Sequence, residues 1–236
     1  MAILELSIPP HFFDSAKEDN NFESVSERIA KSFLKDILNV TDVTRGDPIL
    51  LEPDYISKKH GYEVTFAINK SLIPQLKGVR ELDSTPTNIE EKLITDITEA
   101  VVRKATKSYS CVPNLVIIAI NTLPTWYSSL YFKETDPLCK MAWNVAAAKR
   151  NKLFHELYQN YVHTGKFENI FIIQPTFDGT FAFYNVKDFE NNKENFLIHV
   201  QTNQSKAFPS YRVVDAESLE DVTSLKIKIL NYVFEE

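Results

Sequence analysis

Apolar residues recur along the chain with two different spacings, and these spacings predict an alternation of helices and strands. Apolar residues three or four positions apart predict amphipathic helices at residues 22–38, 88–109 and about 138–162. Short alternating or continuous apolar runs predict strands at residues 3–8, 49–56, 62–68, 114–121, 169–175, 177–186 and 195–201. Residues 221–234 are predicted to be helical rather than extended. This order of elements predicts an α/β fold.

Two pairs of the predicted strands are expected to be neighbours in one sheet. The strands at 49–56 and 62–68 are separated by the short polar segment SKKHG, which predicts a β-hairpin. The strands at 114–121 and 169–175 enclose a predicted helix, which is the pattern of a parallel crossover. The run NLVIIAIN is continuously apolar, as expected for a central strand that is buried on both faces.

The chain contains no internal repeat and no break in composition, so residues 1–236 are predicted to form a single α/β domain with a mixed central β-sheet flanked by helices. Residues 71–88, which contain Pro74, Gly78 and Pro86, are predicted to form a loop or lid. A hydrophobic content of 44% is ample for a sizeable core.

Composition and charge exclude several classes of protein. No apolar run approaches the roughly 20 residues that cross a bilayer, and the N-terminus lacks the basic segment of a signal peptide. A cytoplasmic protein without membrane contact is therefore expected. The net charge of −6 argues against non-specific coating of nucleic acid, and no Rossmann or P-loop motif is present. Cys111 and Cys139 are far apart and predict reduced thiols.

Acidic residues on the predicted hairpin are candidate metal ligands. Asp54 follows Pro53 near the end of the first strand, and Glu63 lies at the start of the second. If the register places the two residues opposite each other, their Cβ atoms lie about 5 Å apart. Carboxylates this close favour a bound cation, and Mg²⁺ prefers such oxygen ligands. Glu63 and Thr65 share one face of the strand because side chains alternate.

The order helix, hairpin, helix, central strand, with PD at 53–54 and Glu63-Val64-Thr65 on the returning strand, resembles the core of the PD-(D/E)XK superfamily, the restriction-endonuclease-like nucleases. The resemblance covers roughly residues 20–121, and residues 122–236 would extend the same sheet as a C-terminal α/β extension. It implies that Asp54 and Glu63 hold one or two Mg²⁺ ions, with Mn²⁺ as an alternative. It also implies an endonuclease that hydrolyses phosphodiester bonds in DNA.

Thr65 departs from this pattern, because the superfamily usually has lysine at its position. A threonine hydroxyl can orient water but brings no positive charge. Three alternatives stay open: a lysine from elsewhere replaces it, the enzyme is weak, or catalysis has been lost. The candidate replacements are Lys58, Lys59 and Lys70 near the hairpin and Lys92 on the second predicted helix.

An acid on the first helix is a further catalytic candidate, since many members of the superfamily carry one there. Glu23 lies at the edge of the apolar stripe and is better placed to face the sheet than Glu27. Both residues also fit capping-box positions, where the helix dipole stabilises an acid without any catalytic role.

Other residues are compatible with nucleic-acid binding or with a purely structural role. The basic residues are Arg103, Lys104, Lys107, Lys149, Arg150 and Lys152, which form either a phosphate-facing surface or solvated helix ends. Trp126 and Tyr127 could stack on a base or complete a core, and His60 is a turn residue or a substrate contact. An active enzyme would bind DNA, whereas an inactive chain would be a nucleic-acid-binding or protein-interaction module. A homodimer is compatible with both.

Overall fold

The computed structural model describes residues 2–7, 25–67, 81–84, 86–119, 149–175, 180–193, 196–201, 210–216 and 225–230. The strands in chain order are β1 (Ala2–Ser7), β2 (Thr44–Arg45), β3 (Tyr55–Ile56), β4 (Gly61–Ala67), β5 (Glu81–Ser84), β6 (Asn114–Ala119), β7 (Ile170–Pro175), β8 (Thr180–Asn185), β9 (Leu197–Gln201), β10 (Ser210–Ala216) and β11 (Leu225–Leu230). The helices are α1 (Val25–Asp36), α2 (Pro86–Ala105), α3 (149–157) and α4 (Val186–Glu190). A 3₁₀ turn, Pro48–Leu50, precedes β3, and α3 continues into a π-helical turn, Tyr158–Val162.

The main sheet contains seven strands in the order β2-β3-β4-β6-β7-β8-β9. Strands β2, β3 and β4 form an antiparallel meander, whereas β4, β6 and β7 are parallel to one another. Strands β8 and β9 then add in antiparallel orientation. The predictions of a mixed sheet, of a hairpin formed by β3 and β4, and of a parallel crossover between β6 and β7 are confirmed.

Helices cover both faces of this sheet, and strand β4 divides its side chains between them. Tyr62 and Val64 pack in one apolar cluster with Phe33 of α1. Ala67, which points the other way, packs in a second cluster with Val101 of α2. Glu63 and Thr65 alternate with the first set, so they lie on the α2 side of the sheet, as the period of two predicts.

Strand β6 lies at the centre of the main sheet and is buried on both faces. Leu115 and Ile117 belong to the cluster beneath α2 and α3, whereas Val116 and Ile118 belong to the cluster beneath α1. The continuous apolar run in this strand therefore has the role that the sequence predicted.

The second sheet joins strands that are far apart in sequence, in the order β10-β1-β11-β5. Strand β1 is antiparallel to β10 and parallel to β11, and β11 is antiparallel to β5. Strands β7, β8 and β9 extend the main sheet, but β10 and β11 do not, which differs from the expectation for residues 122–236. The single-domain organisation stays a prediction.

Three local predictions were wrong. The first strand of the hairpin was expected at 49–56, yet Pro48–Leu50 is a 3₁₀ turn, because the Asp47 side chain accepts from the Ile49 N–H, and β3 contains only Tyr55–Ile56. The segment 221–234 was expected to be helical, yet it contains β11, because LKIKIL alternates with the period of a strand. The expected loop at 71–88 contains β5, and α2 begins at Pro86, where the missing N–H of proline costs little in the first helical turn. Among the described residues, no helix is both long enough and apolar enough to cross a membrane.

Candidate functional site

The register of the β3–β4 hairpin brings Asp54 and Glu63 together. Tyr55 lies opposite Tyr62, so Asp54 lies opposite Glu63 one position further along. The Asp54 backbone N–H donates to Glu63 Oε2 at 3.3 Å, and the Val64 N–H donates to Asp54 Oδ2 at 2.7 Å. The two carboxylates therefore converge beside the end of the hairpin.

Two glycines allow the Pro53–Asp54 segment to lie close against its neighbours. The Gly46 N–H donates to the Asp54 carbonyl at 3.1 Å, and a Cβ at Gly46 would overlap the Pro53 carbonyl oxygen. A Cβ at Gly61 would lie 2.5 Å from Pro53 Cγ and 2.8 Å from Cys111 Sγ. Only glycine fits such close approaches, and the contacts fix the backbone that carries Asp54.

The C-terminal end of α2 brings two lysines onto the Glu63 carboxylate. Lys104 Nζ donates to Glu63 Oε1, and Lys107 Nζ donates to the same oxygen at 3.0 Å. Lys104 Nζ also lies 3.9 Å from Asp54 Oδ2, so this ammonium lies between the two carboxylates. The exposed fraction is 2% for the Glu63 side chain, 12% for Lys104 and 52% for Lys107. Lys104 is therefore a largely buried partner, whereas Lys107 reaches the carboxylate from solvent.

Thr65 lies next to these groups and is hydrogen-bonded to a cation. Arg103 Nη2 donates to Thr65 Oγ1 at 2.8 Å and to the Phe66 carbonyl at 3.2 Å. Because a guanidinium stays protonated in proteins, Arg103 places a permanent positive charge beside a residue that carries none. The Thr65 hydroxyl, expected to orient water, accepts a hydrogen bond from Arg103.

The two carboxyl groups have pKa values shifted in opposite directions. Burial raises the pKa of Asp54, the charges of Glu63 and Glu27 raise it further, and Lys104 opposes them only in part. Burial also acts to raise the pKa of Glu63, but the ion pairs with Lys104 and Lys107 outweigh it and hold that pKa below its usual value. Glu63 is thus firmly ionised, and Asp54 is the more easily protonated group.

Lys107 and Tyr109 respond to the same buried charge. Burial acts to lower the pKa of Lys107, but its hydrogen bond to Glu63 raises the pKa above the usual lysine value. Burial and the charge of Glu63 hold the pKa of Tyr109 far above its usual range. The neutral Tyr109 hydroxyl donates to the Lys104 carbonyl at 3.2 Å and so anchors the end of α2.

Lys104 was not among the four lysines considered as replacements for the missing one. Lys58 and Lys59 are exposed in the hairpin turn. Lys70 lies outside the described residues, as does the side chain of Lys92 on α2. Lys104 follows the buried Val101 by three positions, which places both residues on one face of the helix. That spacing is the signal in the sequence that could have identified Lys104.

Of the two acids considered on the first helix, Glu27 is described and Glu23 lies outside the described residues. The Glu27 carboxylate lies 3.9 Å from Arg45 Nη2, and its charge contributes to the raised pKa of Asp54, whose burial is the larger cause. The role of an acid on the first helix, for which Glu23 was favoured from the sequence, stays a prediction.

The other candidate residues from the sequence are described by contacts with different partners. His60 Nδ1 lies 2.7 Å from Glu168 Oε2, and Asn114 Nδ2 donates to the same oxygen at 3.2 Å. The Arg150 guanidinium of α3 lies 5.7 Å from the centre of the Tyr184 ring. Trp126 and Tyr127 lie outside the described residues. Of the predicted phosphate-facing surface, Arg103, Lys104 and Lys107 contact residues of the candidate site.

Within the described part of the chain, no group of three or more His, Cys, Asp or Glu side chains is arranged to hold a metal ion. Asp54 and Glu63 supply two carboxylates, which is the number that Mg²⁺ commonly takes from a protein beside water and phosphate oxygens. Any ion at this position would compete with Lys104 and Lys107 for the Glu63 carboxylate.

Comparisons with known proteins do not assign the chain to a family. No protein-family model, no curated protein and no solved structure matches it. The function is therefore argued from Asp54, Glu63 and Lys104 and from the groups that contact them.

Proposed function

We propose that the protein is a metal-dependent nuclease that hydrolyses phosphodiester bonds in DNA. The observation that carries this proposal is the Lys104 ammonium, which lies between the converging carboxylates of Asp54 and Glu63. In this proposal α1, the β2-β3-β4 meander, α2 and β6 form a restriction-endonuclease-like core, and the lysine missing from β4 comes from α2.

The donor set suits a hard divalent cation. Asp54 and Glu63 offer carboxylate oxygens, and the raised pKa of Asp54, caused first by burial and then by its acidic neighbours, makes the proton a competitor of a metal ion at Asp54. These two residues would hold Mg²⁺ or Mn²⁺, which when bound neutralises charge on a phosphate and lowers the pKa of a bound water.

Lys104 would supply the positive charge that Thr65 lacks. Its ammonium is fixed by Glu63 and lies near Asp54, so it can donate a hydrogen bond to an attacking water or to a phosphate oxygen. Thr65 would hold the Arg103 guanidinium near the same place, where its permanent charge favours the anionic substrate. Each role depends on residues that the hairpin and the end of α2 bring together.

Metal binding and DNA cleavage measured in the same samples test this proposal. Mg²⁺ and Mn²⁺ are titrated by calorimetry into the wild type, an Asp54→Ala/Glu63→Ala variant and a Glu156→Gln control, in which an exposed ion pair with Lys152 is changed. We expect binding and plasmid cleavage in the wild type and control and neither in the double variant. Cleavage that persists in the double variant would contradict the proposal.

A second candidate is a nuclease-like fold that binds nucleic acid or a protein without catalysis. It is favoured by the double contact at Glu63, because Lys104 and Lys107 together supply the positive charge that a metal would otherwise bring. This candidate predicts no metal binding and no cleavage in the wild type. Fluorescence anisotropy with labelled DNA would then distinguish a nucleic-acid-binding module, which binds, from a protein-interaction module, which does not.

A further inference from the structure

The two lysines on Glu63 differ in how firmly they are held. Lys104 contacts both carboxylates, its side chain is mostly buried, and its carbonyl accepts the Tyr109 hydroxyl. Moving this ammonium would leave the buried Glu63 carboxylate with Lys107 alone and would take from Asp54 the ammonium that lies 3.9 Å from it. Losing the Lys104 ammonium is energetically unfavourable, because a carboxylate shielded from solvent cannot be stabilised by water instead.

Lys107 is held less firmly at Glu63 than Lys104 is. It follows the last helical residue of α2, Ala105, and half of its side chain is exposed. Its ammonium has a single described carboxylate contact within hydrogen-bonding distance, the Glu63 oxygen at 3.0 Å. A lysine stem is flexible and its head group is well solvated, so Lys107 can turn into water at little cost.

The charges of the two carboxylates and of the two lysines that contact them balance before any ion binds. Asp54 and Glu63 carry two negative charges when ionised, and Lys104 and Lys107 carry two positive charges. Adding a divalent cation without moving a lysine would leave a net charge of about +2 in a mostly buried site, which is electrostatically unfavourable. One ammonium must therefore leave Glu63 when the ion enters.

We propose that Lys107 is a resident cation that competes with the divalent metal for Glu63 and is displaced when the metal binds. This inference rests on the proposed function, because it concerns the metal of that same site. Lys104 stays between the carboxylates, and the released Lys107 ammonium is free to approach the phosphate of the substrate. Metal affinity is consequently low in the absence of nucleic acid, and Lys107 sets that affinity.

Calorimetric titration of Mn²⁺ and Mg²⁺ without nucleic acid tests the competition directly. The proteins are the wild type, Lys107→Met, Lys107→Arg and the control Lys193→Met, which removes another exposed lysine that is paired with an acid, Asp188. Removing the competing charge should tighten metal binding on the order of tenfold in Lys107→Met. Lys107→Arg, which keeps the charge, and Lys193→Met should bind as the wild type does. Circular dichroism confirms that each variant is folded.

Each outcome of the titration decides the proposal. Tighter binding in Lys107→Met alone supports it, as does binding that is detected in that variant and not in the wild type. Equal or weaker binding in Lys107→Met, beside measurable binding in the wild type, overturns the competition and leaves the proposed function standing. An equal gain in Lys107→Arg also overturns it, because the charge would then not be the cause. No binding in any of the proteins overturns both the competition and the metal-dependent function.

Discussion

Two glutamate contacts at opposite ends of the β3–β4 hairpin, one buried and one exposed, show how burial changes the importance of a carboxylate's partner. At the open end, Glu63 is 2% exposed and bonds to Lys104 and Lys107 from α2. At the turn, Glu168 is 39% exposed and bonds to His60. A buried charge that loses its partner cannot be solvated, whereas an exposed one exchanges its partner for water. The open end therefore depends on its partners, and the turn does not.

Removing Lys104 should produce the largest loss of stability. Lys104→Met leaves the Glu63 carboxylate buried with only the solvent-exposed Lys107 beside it, and we expect the free energy of unfolding to fall by about 3 kcal/mol. Urea denaturation measures this change. The paired variant Lys104→Met/Glu63→Met should recover most of the loss, because the buried Glu63 carboxylate is removed together with its partner. A loss below about 1 kcal/mol in the single variant would place this pair in the same class as the exposed pair at the turn.

Gly46→Ala tests whether close backbone packing holds Asp54 against Glu63. The added Cβ would overlap the Pro53 carbonyl, which cannot move without shifting Asp54, so we expect a loss of about 2 kcal/mol. Gly61→Ala should cost less, since its Cβ would meet the side-chain atoms Pro53 Cγ and Cys111 Sγ at 2.5 and 2.8 Å, whereas a Cβ at Gly46 would overlap a backbone oxygen. Thermal unfolding of both variants shows which of the two substitutions destabilises the protein more. Equal stability of Gly46→Ala and the wild type would show that the segment is not constrained.

The pKa values of Glu63 and Asp54 are shifted in opposite directions, so their contributions to the free energy of unfolding should change with pH in opposite directions. Glu63 has a lowered pKa, so its stabilising contribution is present above its ordinary value of 4.5 and is lost as the pH falls through the folded-state pKa. Asp54 has a raised pKa, so its contribution is present below its ordinary value of 3.8 and is lost as the pH rises through the folded-state pKa.

Unfolding of the wild type, Glu63→Gln and Asp54→Asn between neutral and acidic pH measures these contributions. As the pH falls, the wild type should lose stability relative to Glu63→Gln and gain stability relative to Asp54→Asn. Differences that move in the same direction for both variants would contradict the assignment of the shifts.

Of these substitutions, Glu168→Gln should change the free energy of unfolding least, in contrast to the loss of Lys104 from Glu63. The exposed pair with His60 contributes little, and the glutamine oxygen can still accept from Asn114. We expect a change of about 0.5 kcal/mol or less in the free energy of unfolding. A loss as large as that of Lys104→Met would mean that burial does not separate the two regions.

The features that could be predicted from the sequence are those decided by local spacing. The pairing of Asp54 with Glu63 follows from a short turn, and the burial of β6 follows from its unbroken apolar run. The contact between Lys104 and Glu63 joins residues 41 positions apart and depends on how α2 packs against β4. Helical spacing places Lys104 on the buried face of α2 but does not specify which strand residue it meets.

The second sheet, like the contact between Lys104 and Glu63, joins residues that are far apart in sequence. Ala2 pairs with Leu225, and no local pattern specifies a partner at that separation. The alternation in LKIKIL identifies β11 as a strand, but it does not indicate that β11 joins β1 and β5 rather than the main sheet. Strand pairing of this kind is decided by tertiary packing, which short-range periodicity does not report.

The most direct test of the central claim is the rate of Mg²⁺-dependent cleavage of plasmid DNA by the wild type and by Lys104→Met, each at a temperature where unfolding curves show it fully folded. We expect cleavage by the wild type that is abolished by EDTA, and a rate lower by at least about a hundredfold in Lys104→Met, because that variant lacks the ammonium that the proposed mechanism uses beside the phosphate. Equal rates in the two proteins, or no Mg²⁺-dependent cleavage by the wild type, would contradict the assignment of Asp54, Glu63 and Lys104 as a nuclease site.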